Sequence, residues 1–340
     1  MLQRIYAIFQ ARNREFMRDR GTLAWNLILP LALMFGLSFA FSSDRDAYTV
    51  GVLQESAEVD TSVHAFLATN YVNFVAYDDF DLAIRKIERH QLDLLVEFGD
   101  EPKYWVNSDS PKGYFAEIAL LKAGSNLTGT IDKQEITGEA VSYADWLLPG
   151  ILGMNMMFSC LFGVGYVVVR YRKNGFLKRL RATPLTSLEF IVAQVASRLL
   201  LAILITSFIY TGTHQILDTR MDGSYFTLFL VAVVGAISLV SMGLVVSARV
   251  TSEELAGGLL NLITWPMMML SGVWFSLEGA PEAVTVAASI FPLTHVLNSA
   301  RAVMLDGATL VDVAPSLLAL TAISIVFFAI GAKIFRWSQD

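Results

Sequence analysis

LLPGILGMNMMFSCLFGVGYVVV, at residues 147–169, is followed by RYRKNGFLKRLRATPLTSLEF at 170–190 and by IVAQVASRLLLAILITSFIY at 191–210. Two apolar runs therefore flank a turn that is rich in Arg and Lys. A bilayer core about 30 Å thick takes about 20 helical residues to cross, so each run is long enough to span a membrane. Because short basic loops stay in the cytoplasm, this stretch predicts two transmembrane helices that are joined on the cytoplasmic side.

Four more apolar runs meet the same length requirement, at residues 23–41, 225–246, 255–275 and 313–335. Over the whole chain 54% of the residues are apolar, 16% are charged, and the mean hydropathy is +0.52. Soluble domains have about 45–50% apolar and about 25% charged residues, so this composition argues against a soluble globular protein. We predict an α-helical polytopic membrane protein with six transmembrane helices.

The charge distribution predicts the orientation of these spans. The segment from Asp44 to Asp145 holds 19 of the 31 acidic residues but only 8 of the 25 basic ones. Basic residues cluster before the first run, in the turn at 170–190 and after the last run, which puts both termini in the cytoplasm and the acidic segment outside. The single cysteine, Cys160, excludes an internal disulfide framework. These features are typical of a multi-pass protein of the bacterial inner membrane.

Residues 281–304 are as long as a span, but they contain Pro281, Pro292, Asn298 and Arg301. Proline and charge make a full crossing of the hydrocarbon core costly. We therefore expect a re-entrant pair of short helices on the outer side, between spans five and six.

The regions outside the spans predict two further units. Residues 1–20 gather their apolar side chains within one arc of a helical wheel, which indicates an amphipathic helix in the cytoplasmic interface; the first span then occupies 22–41. Residues 42–146 predict a small extracytoplasmic α/β domain, with strands at 48–53, 72–77, 92–98 and 104–106, helices near 60–69 and 79–90, and a long helix over 113–140. Residues 147–340 form the remaining transmembrane domain.

The sequence shows no catalytic signature. No phosphate-binding G-x-x-x-x-G-K-[ST] loop occurs, and the four histidines and one cysteine have no metal-ligand spacing, so we expect neither a catalytic residue nor a metal site. Arg198 stands several residues inside the third span, where an ionisable group is a functional candidate by default. We expect it to pair with Glu253 or Glu254 at the inner end of span five.

Two long motifs and the outer domain resemble the membrane subunit of an ABC-2 type (type V) ABC exporter. Residues 170–194 are similar to that family's basic turn followed by G-x-L-x-R-L-x-x-T-P-L, and residues 270–307 are similar to its second motif, which ends in P-L-T and an arginine. The outer domain resembles the insertion of one subgroup, which begins with a similar "vGvl-x-e" strand. The positions that fit the two motifs are Gly175, Leu177, Arg179, Leu180, Thr183, Pro184 and Leu185 in the first, and Ser271, Gly272, Pro281, Pro292, Leu293, Thr294 and Arg301 in the second.

This resemblance implies a half-transporter without its own ATP site. Two copies, or this chain and a close homologue, would enclose the path, and a separate cytoplasmic ATPase subunit would bind ATP and Mg²⁺. Membrane lipid and a periplasmic adaptor are further candidate partners, and no nucleic acid is expected. By the same resemblance, the ATPase docks on the coupling loop 170–190 and on the amphipathic N-terminal helix, and an outer gate lies in the segment 281–304.

The resemblance assigns three sets of residues. The docking set is Tyr171, Arg172, Gly175, Phe176, Leu177, Arg179, Leu180, Thr183 and Pro184. The candidate pathway set, from spans two and five, is Asn155, Met156, Phe158, Asn261, Trp265 and Met268. The outer gate set is Pro281, Pro292, Leu293, Thr294 and Arg301.

Substrate chemistry follows from the residues only in outline. Methionine clusters and aromatic residues in the spans favour an adaptable apolar route for an amphiphile such as a drug, a lipid or a lipid-linked molecule. Two other functions are compatible with the same sequence: a membrane component of an envelope assembly machine, and a ligand-sensing membrane protein without solute export. Bound ATPase would favour the exporter or the assembly machine over the sensor.

Overall fold

The computed structural model of the protein describes residues 1–40, 48–54, 64–69, 72–99, 102–123, 132–136, 141–335 and 337. The chain divides into two compact units. The first, here the helical unit, contains residues 1–39, 144–277 and the described residues from 281 onward. The second, here the sheet unit, contains the described residues from 40 to 143 together with 278–280.

Helices account for most of the described chain. In order they are α1 (Leu2–Arg18), α2 (Arg20–Ala40), α3 (Phe80–Glu88), α4 (Pro111–Ala123), α5 (Tyr143–Lys173), α6 (Phe176–Arg181), α7 (Ser187–Leu217), α8 (Tyr225–Ser247), α9 (Glu253–Leu270), α10 (Glu282–Ser289), α11 (Pro292–Asp306) and α12 (Ala314–Ile334). The predicted helix over residues 1–20 is confirmed as α1, and the class of a polytopic helical membrane protein is confirmed.

Five of the described helices are long and apolar enough to cross a membrane: most of α2, α5, α7, α8 and α12. The pair α10 and α11 passes the same test together, but its two helices are bent by 100°. The run predicted at 255–275 is shorter than expected, because α9 ends at Leu270 and Gly272 takes a left-handed φ of +73°. At 18 residues α9 is about 27 Å long. It carries two glutamates in its first turn, and it is not among the five.

Contacts at its two ends nevertheless show that α9 runs the length of α5. Glu253, in its first turn, lies 3.2 Å from Lys173 at the end of α5. Beyond its last turn, the Gly272 carbonyl accepts a 2.7 Å hydrogen bond from Arg301, whose guanidinium lies over the ring of Trp146 near the start of α5. The two helices are therefore antiparallel, and this contact pattern supports α9 as the fifth span.

The bent pair turns back instead of continuing across the bundle. A hydrogen bond joins the hydroxyls of Thr294, at the start of α11, and Ser271, beyond the end of α9, and the Met304 carbonyl, near the end of α11, accepts from the Asp222 amide just before α8. Near the end of α12, a Cβ on Gly331 would meet Leu244, which lies near the end of α8. Because the end of α11 lies beside the start of α8, α12 runs parallel to α8. The segment thus returns to the end of the helical unit where α8 begins, as a re-entrant pair requires.

Both described ends of the chain lie at one end of the helical unit. Arg4 pairs with Glu189 in the first turn of α7 at 3.2 Å, and the rings of Phe190 and Phe335 are 5.9 Å apart. Here α7 begins with a capping box between Thr186 and Glu189, which satisfies amides that the first helical turn leaves free. We call this the capped end of the unit.

The sheet unit contains five strands: β1 (Tyr48–Leu53), β2 (Val72–Tyr77), β3 (Leu94–Glu97), β4 (Lys103–Asn107) and β5 (Asp132–Ile136). Their order is β2-β1-β3-β4-β5, and only the β3–β4 pair is antiparallel. Alternation along the strands buries apolar side chains on both faces. Val50, Val96 and Leu120 belong to one cluster, and Leu95 and Ile87 to the other.

One expectation for this unit is wrong. The long helix predicted over 113–140 ends at Ala123, and DKQEI at 132–136 is a strand that pairs in parallel with β4. Strand formation depends strongly on neighbouring strands. The backbone hydrogen bonds that β4 offers at the sheet edge therefore outweigh the weak strand propensity of DKQEI. Residues 124–131 and 137–140 lie outside the described residues.

Candidate functional site

The turn after α5 is built around a glycine. Gly175 has φ +67°, a conformation that is costly for most side chains, and it directly precedes the short helix α6. A Cβ at this position would meet no atom within 4 Å, so the backbone conformation and not the space selects glycine. The basic side chains of Lys178, Arg179 and Arg181 are exposed on α6.

The proposed docking residues divide by exposure. The exposed ones are Phe176, Arg179, Thr183 and Pro184; the half-buried ones are Tyr171, Gly175 and Leu180; the buried ones are Arg172 and Leu177. Exposed members are able to contact a partner directly, whereas buried members hold the loop against the helical unit. The docking role of the set stays a prediction.

Arg172 shows what a buried member does. Its guanidinium donates to the carbonyls of Ser247 and Ala248 at 2.9 and 3.0 Å, and also to that of Val250. It also lies over the Phe335 ring. The last carbonyls of a helix have no partner within the helix, and a cation there is favoured by the helix dipole. Arg172 therefore ties α5 to the end of α8 from inside the helical unit.

Tyr171 joins the loop to α1. Its hydroxyl hydrogen-bonds Glu15, and Arg12 donates to both Glu15 and Tyr171, at 2.9 and 3.1 Å. Arg170 lies 3.3 Å from the same carboxylate. Burial raises the pKa of Glu15, but the Tyr171 hydrogen bond and the two arginines outweigh it and leave that pKa below its ordinary value. The carboxylate form of Glu15 is thus the one that holds α1.

A second contact joins α1 to the T-P-L segment. Arg4 donates to the carbonyl of Pro184 and pairs with Glu189, and the Ser197 hydroxyl donates to Asn13 at 2.5 Å. The sequence predicts an amphipathic helix here, but no single residue of that helix was predicted to make these contacts. The charged residues Arg4 and Glu15 on its polar face were the available indication, because charged side chains near the loop at 170–190 can form ion pairs and hydrogen bonds with it.

Most of the candidate pathway residues line one cavity of about 840 Å³, here called the α5 cavity. It lies among α1, α2, α5, α7 and α9. The members of the set that line it are Asn155, Phe158, Trp265 and Met268. Met156 instead lines a separate cavity of about 490 Å³ among α5, α7, α8 and α11, and Asn261 is exposed and lines neither.

The walls of the α5 cavity combine aromatic and charged groups. Trp25 from α2 and Trp274 beyond α9 line it together with Trp265. The first two were not predicted from the sequence, because nothing local distinguishes a tryptophan that faces a cavity from one that faces lipid. Arg12 and Arg198 line the end of the cavity near the capped end of the unit.

The expectation for Arg198 is wrong. Glu253 pairs with Lys173 and accepts a hydrogen bond from Tyr166, and no described carboxylate lies within 4.0 Å of the Arg198 guanidinium. Arg198 instead donates to the Gly163 carbonyl at 3.1 Å and lies 5.3 Å from the Phe16 ring centre. Arg198 lies on the face of α7 that packs against α5 and α1, and its side chain therefore does not reach α9.

Four of the five outer gate residues lie together in α11, and two of them, Thr294 and Arg301, make polar contacts. The Thr294 hydroxyl donates to the Ala288 carbonyl at 2.6 Å, and Arg301 donates to Gly272 and Trp146. Pro292, Leu293 and Thr294 are buried, whereas Pro281 is exposed at the start of α10. These contacts tie α10 and α11 to the ends of α5 and α9; the action of the set as a gate stays a prediction.

The described residues contain no group of three His, Cys, Asp or Glu side chains able to hold a metal ion. Cys160 is buried in the core of the helical unit.

The family model described as "ABC-2 family transporter protein" matches residues 20–333. The probable multidrug ABC transporter permease YbhS of Escherichia coli is 22% identical over 96% of this chain and 95% of its own length.

Two shorter similarities involve just over half of this chain. The inner membrane transport permease YhhJ of E. coli is 26% identical over 54% of the chain and 49% of its own length. The linearmycin resistance permease protein LnrN of Bacillus subtilis is 22% identical over 54% of the chain and 48% of its own length.

Proposed function

The chain belongs to the ABC-2 family of transporter permeases, and from this we propose that it is the membrane subunit of an ATP-driven exporter for amphiphilic molecules. In this proposal a separate cytoplasmic subunit binds and hydrolyses ATP, and this chain provides the path across the bacterial inner membrane. The observation that carries the proposal is the α5 cavity, whose lining includes α5, from which the coupling loop continues, and α1, which contacts that loop.

Coupling would start at α6. This helix presents exposed basic side chains, while the buried Arg172 and Leu177 connect the loop to the helical unit. A force on α6 would pass directly into α5 through the Gly175 turn, and into α1 through Tyr171 and Glu15. Both helices line the α5 cavity, so movement of the loop would change the shape of the cavity.

The lining of the cavity supports an amphiphile. Apolar and aromatic side chains make up most of the lining, and polar and charged side chains contribute the rest, which is how sites for partly apolar ligands are built. The multidrug and resistance permeases among the similar proteins support the same class of substrate. A second copy of the chain, or a close homologue, would complete the path.

The test begins with the partner. The chain, solubilised mildly, is purified together with the product of a neighbouring ATPase gene, and ATP hydrolysis is measured in lipid vesicles. We expect a complex with two copies of each subunit, and hydrolysis that depends on this chain and rises with an amphiphilic drug.

Arg179→Glu should weaken that dependence, because it reverses an exposed charge of α6, whereas Arg249→Glu, an exposed residue outside the loop, should not. No bound ATPase under several conditions would contradict the proposal and favour the sensor. ATPase binding without any transported amphiphile would favour an envelope assembly role.

A further inference from the structure

The α5 cavity contains a buried cation with no described carboxylate within 4.0 Å of it. Arg198 is 6% exposed and lines the cavity. Of the five N–H groups of its guanidinium, one donates a hydrogen bond to a described residue, the Gly163 carbonyl. A buried charge is costly unless it is paired. This one is held by a neutral carbonyl and an aromatic ring.

The two carboxylates that line the cavity are already engaged. Glu15 lies between Arg12 and Arg170, at 2.9 and 3.3 Å. Asp19 accepts from the amide and the hydroxyl of Thr22, at 3.0 and 2.7 Å. The described lining therefore has three arginines and two carboxylates, and the excess positive charge lies at Arg198.

A second arginine is close to the first. Arg12 donates to the same Gly163 carbonyl oxygen at 3.3 Å, so two guanidinium groups meet at one acceptor. Gly163 makes this possible, since a Cβ there would lie 2.0 Å from the Arg198 guanidinium. Like charges at this separation repel each other, and an anion between them would relieve that repulsion.

The cavity is also lined by buried polar atoms that have no hydrogen-bond partner among the described residues. They are the Asn155 amide nitrogen and the Ser159 hydroxyl. Asn155, Ser159 and Gly163 are spaced four residues apart, so they lie along one face of α5 and lead to Arg198. Buried polar atoms are normally satisfied, so unsatisfied ones along a cavity indicate a missing ligand.

We propose that the α5 cavity binds an amphiphile with an anionic headgroup, a phosphate, sulfate or carboxylate, and that Arg198 with Arg12 is its headgroup site. A planar guanidinium is suited to such oxyanions because it offers paired donors. The apolar part of the ligand lies along Trp25, Trp265 and Met268. This inference rests on the proposed function, since it specifies the ligand class of the same cavity.

The test uses tryptophan fluorescence, because three tryptophans line the cavity. The ATPase complex in phosphatidylcholine vesicles is titrated with 12-bromododecyl phosphate, whose bromine quenches nearby tryptophans, and with the matched alcohol and trimethylammonium compounds. We expect the phosphate to quench at concentrations at least tenfold lower than the alcohol, as the loss of a charged hydrogen bond changes affinity by about 10- to 100-fold.

Variants assign the preference to Arg198. Arg198→Gln should remove the tenfold difference, Arg198→Lys should keep most of it, and Arg249→Gln, at an exposed position, should leave it unchanged. If Arg198→Gln does not fold, as judged by its elution volume, the proposal is tested by comparing the three probes on the wild type and on Arg198→Lys. Both proteins should then prefer the phosphate probe. Equal quenching by phosphate and alcohol, or a preference that survives in folded Arg198→Gln, would overturn the proposal.

Two further measurements distinguish a resident lipid from a transported substrate, and test the anionic site independently of the exporter function. Phosphatidylglycerol that competes with the probe in an Arg198-dependent way, without raising ATP hydrolysis, indicates a resident lipid; a probe that raises hydrolysis indicates a substrate. Both outcomes support the anionic site. Phosphate-selective quenching on a chain that binds no ATPase would contradict the exporter function and leave the site standing.

Discussion

Single arginines in this chain have opposite roles although they lie close together in sequence. Arg172 is buried and holds the end of α8, whereas Arg179 is exposed on α6. Their local sequences are equally basic, so only the three-dimensional neighbours distinguish them.

This difference predicts that substituting Arg172 lowers stability, whereas substituting Arg179 lowers ATPase coupling. Arg172→Ala removes at least two charged hydrogen bonds, each contributing about 1.5–3 kcal/mol, so it should lower the free energy of unfolding in mixed micelles by about 3 kcal/mol. Arg179→Ala should change that free energy by less than about 0.5 kcal/mol, as exposed substitutions usually do. In the ATPase complex only Arg179→Ala should reduce coupling while the fold is intact. A stable Arg172→Ala protein would show that the carbonyls of α8 have other partners.

At the scale of elements, the Gly175 turn controls the direction of α6. Gly175→Ala forces an ordinary residue into a left-handed conformation at a cost of about 1–2 kcal/mol, so it should displace α6 and reduce ATPase coupling. Gly175→Asn is the matched control, because asparagine tolerates this conformation better, and it should retain more coupling than Gly175→Ala. Equal coupling in both variants would mean that the turn is not strained.

The attachment of α1 should depend on pH. The folded pKa of Glu15 lies below its ordinary value, so its contribution is fully present above pH of about 4.5 and is lost as the pH falls through the lower folded value. Spin labels at the exposed positions Leu2 and Arg181 should report a broader distance distribution in acid.

The variant Glu15→Gln should show the broad distribution already at pH 7, since its side chain is uncharged. A matched substitution at the exposed Arg14 should not have this effect. An unchanged distribution across the acid range would show that Arg4 and Asn13 hold α1 without Glu15.

At the scale of the whole molecule, the bent pair α10 and α11 decides on which side α12 begins. The contacts of Met304 with Asp222, and the parallel packing of α12 on α8, return the chain to the end where α8 starts. Both described chain ends then meet at the capped end, and the charge bias predicts that this end faces the cytoplasm.

Labelling with a membrane-impermeant thiol reagent tests this arrangement. In a Cys160→Ser background, cysteines at the exposed positions Ser108 and Val311 should react from outside intact cells, and one at Asn174 should react only after permeabilisation. Protection of Val311 together with labelling of Ser108 would mean that the bent pair crosses the membrane.

Much of the helical unit could be predicted from its sequence, because apolar length and loop charge act locally. The basic turn that contains Gly175 and the helix over residues 1–20 were both predicted, and α6 begins directly after that glycine. The strand at 132–136 and the partner of Arg198 could not be predicted, since each depends on a neighbour far along the chain.

By itself, the sequence determined the class of protein, the main membrane-crossing segments and the family motifs. A segment in lipid must satisfy its own backbone hydrogen bonds and be apolar throughout, so these properties are written in consecutive residues. Only the tertiary structure decided which arginines are buried, how α1 attaches to the coupling loop, and which polar groups face the α5 cavity. Those outcomes depend on which helix faces lie together, and packing between distant segments sets them.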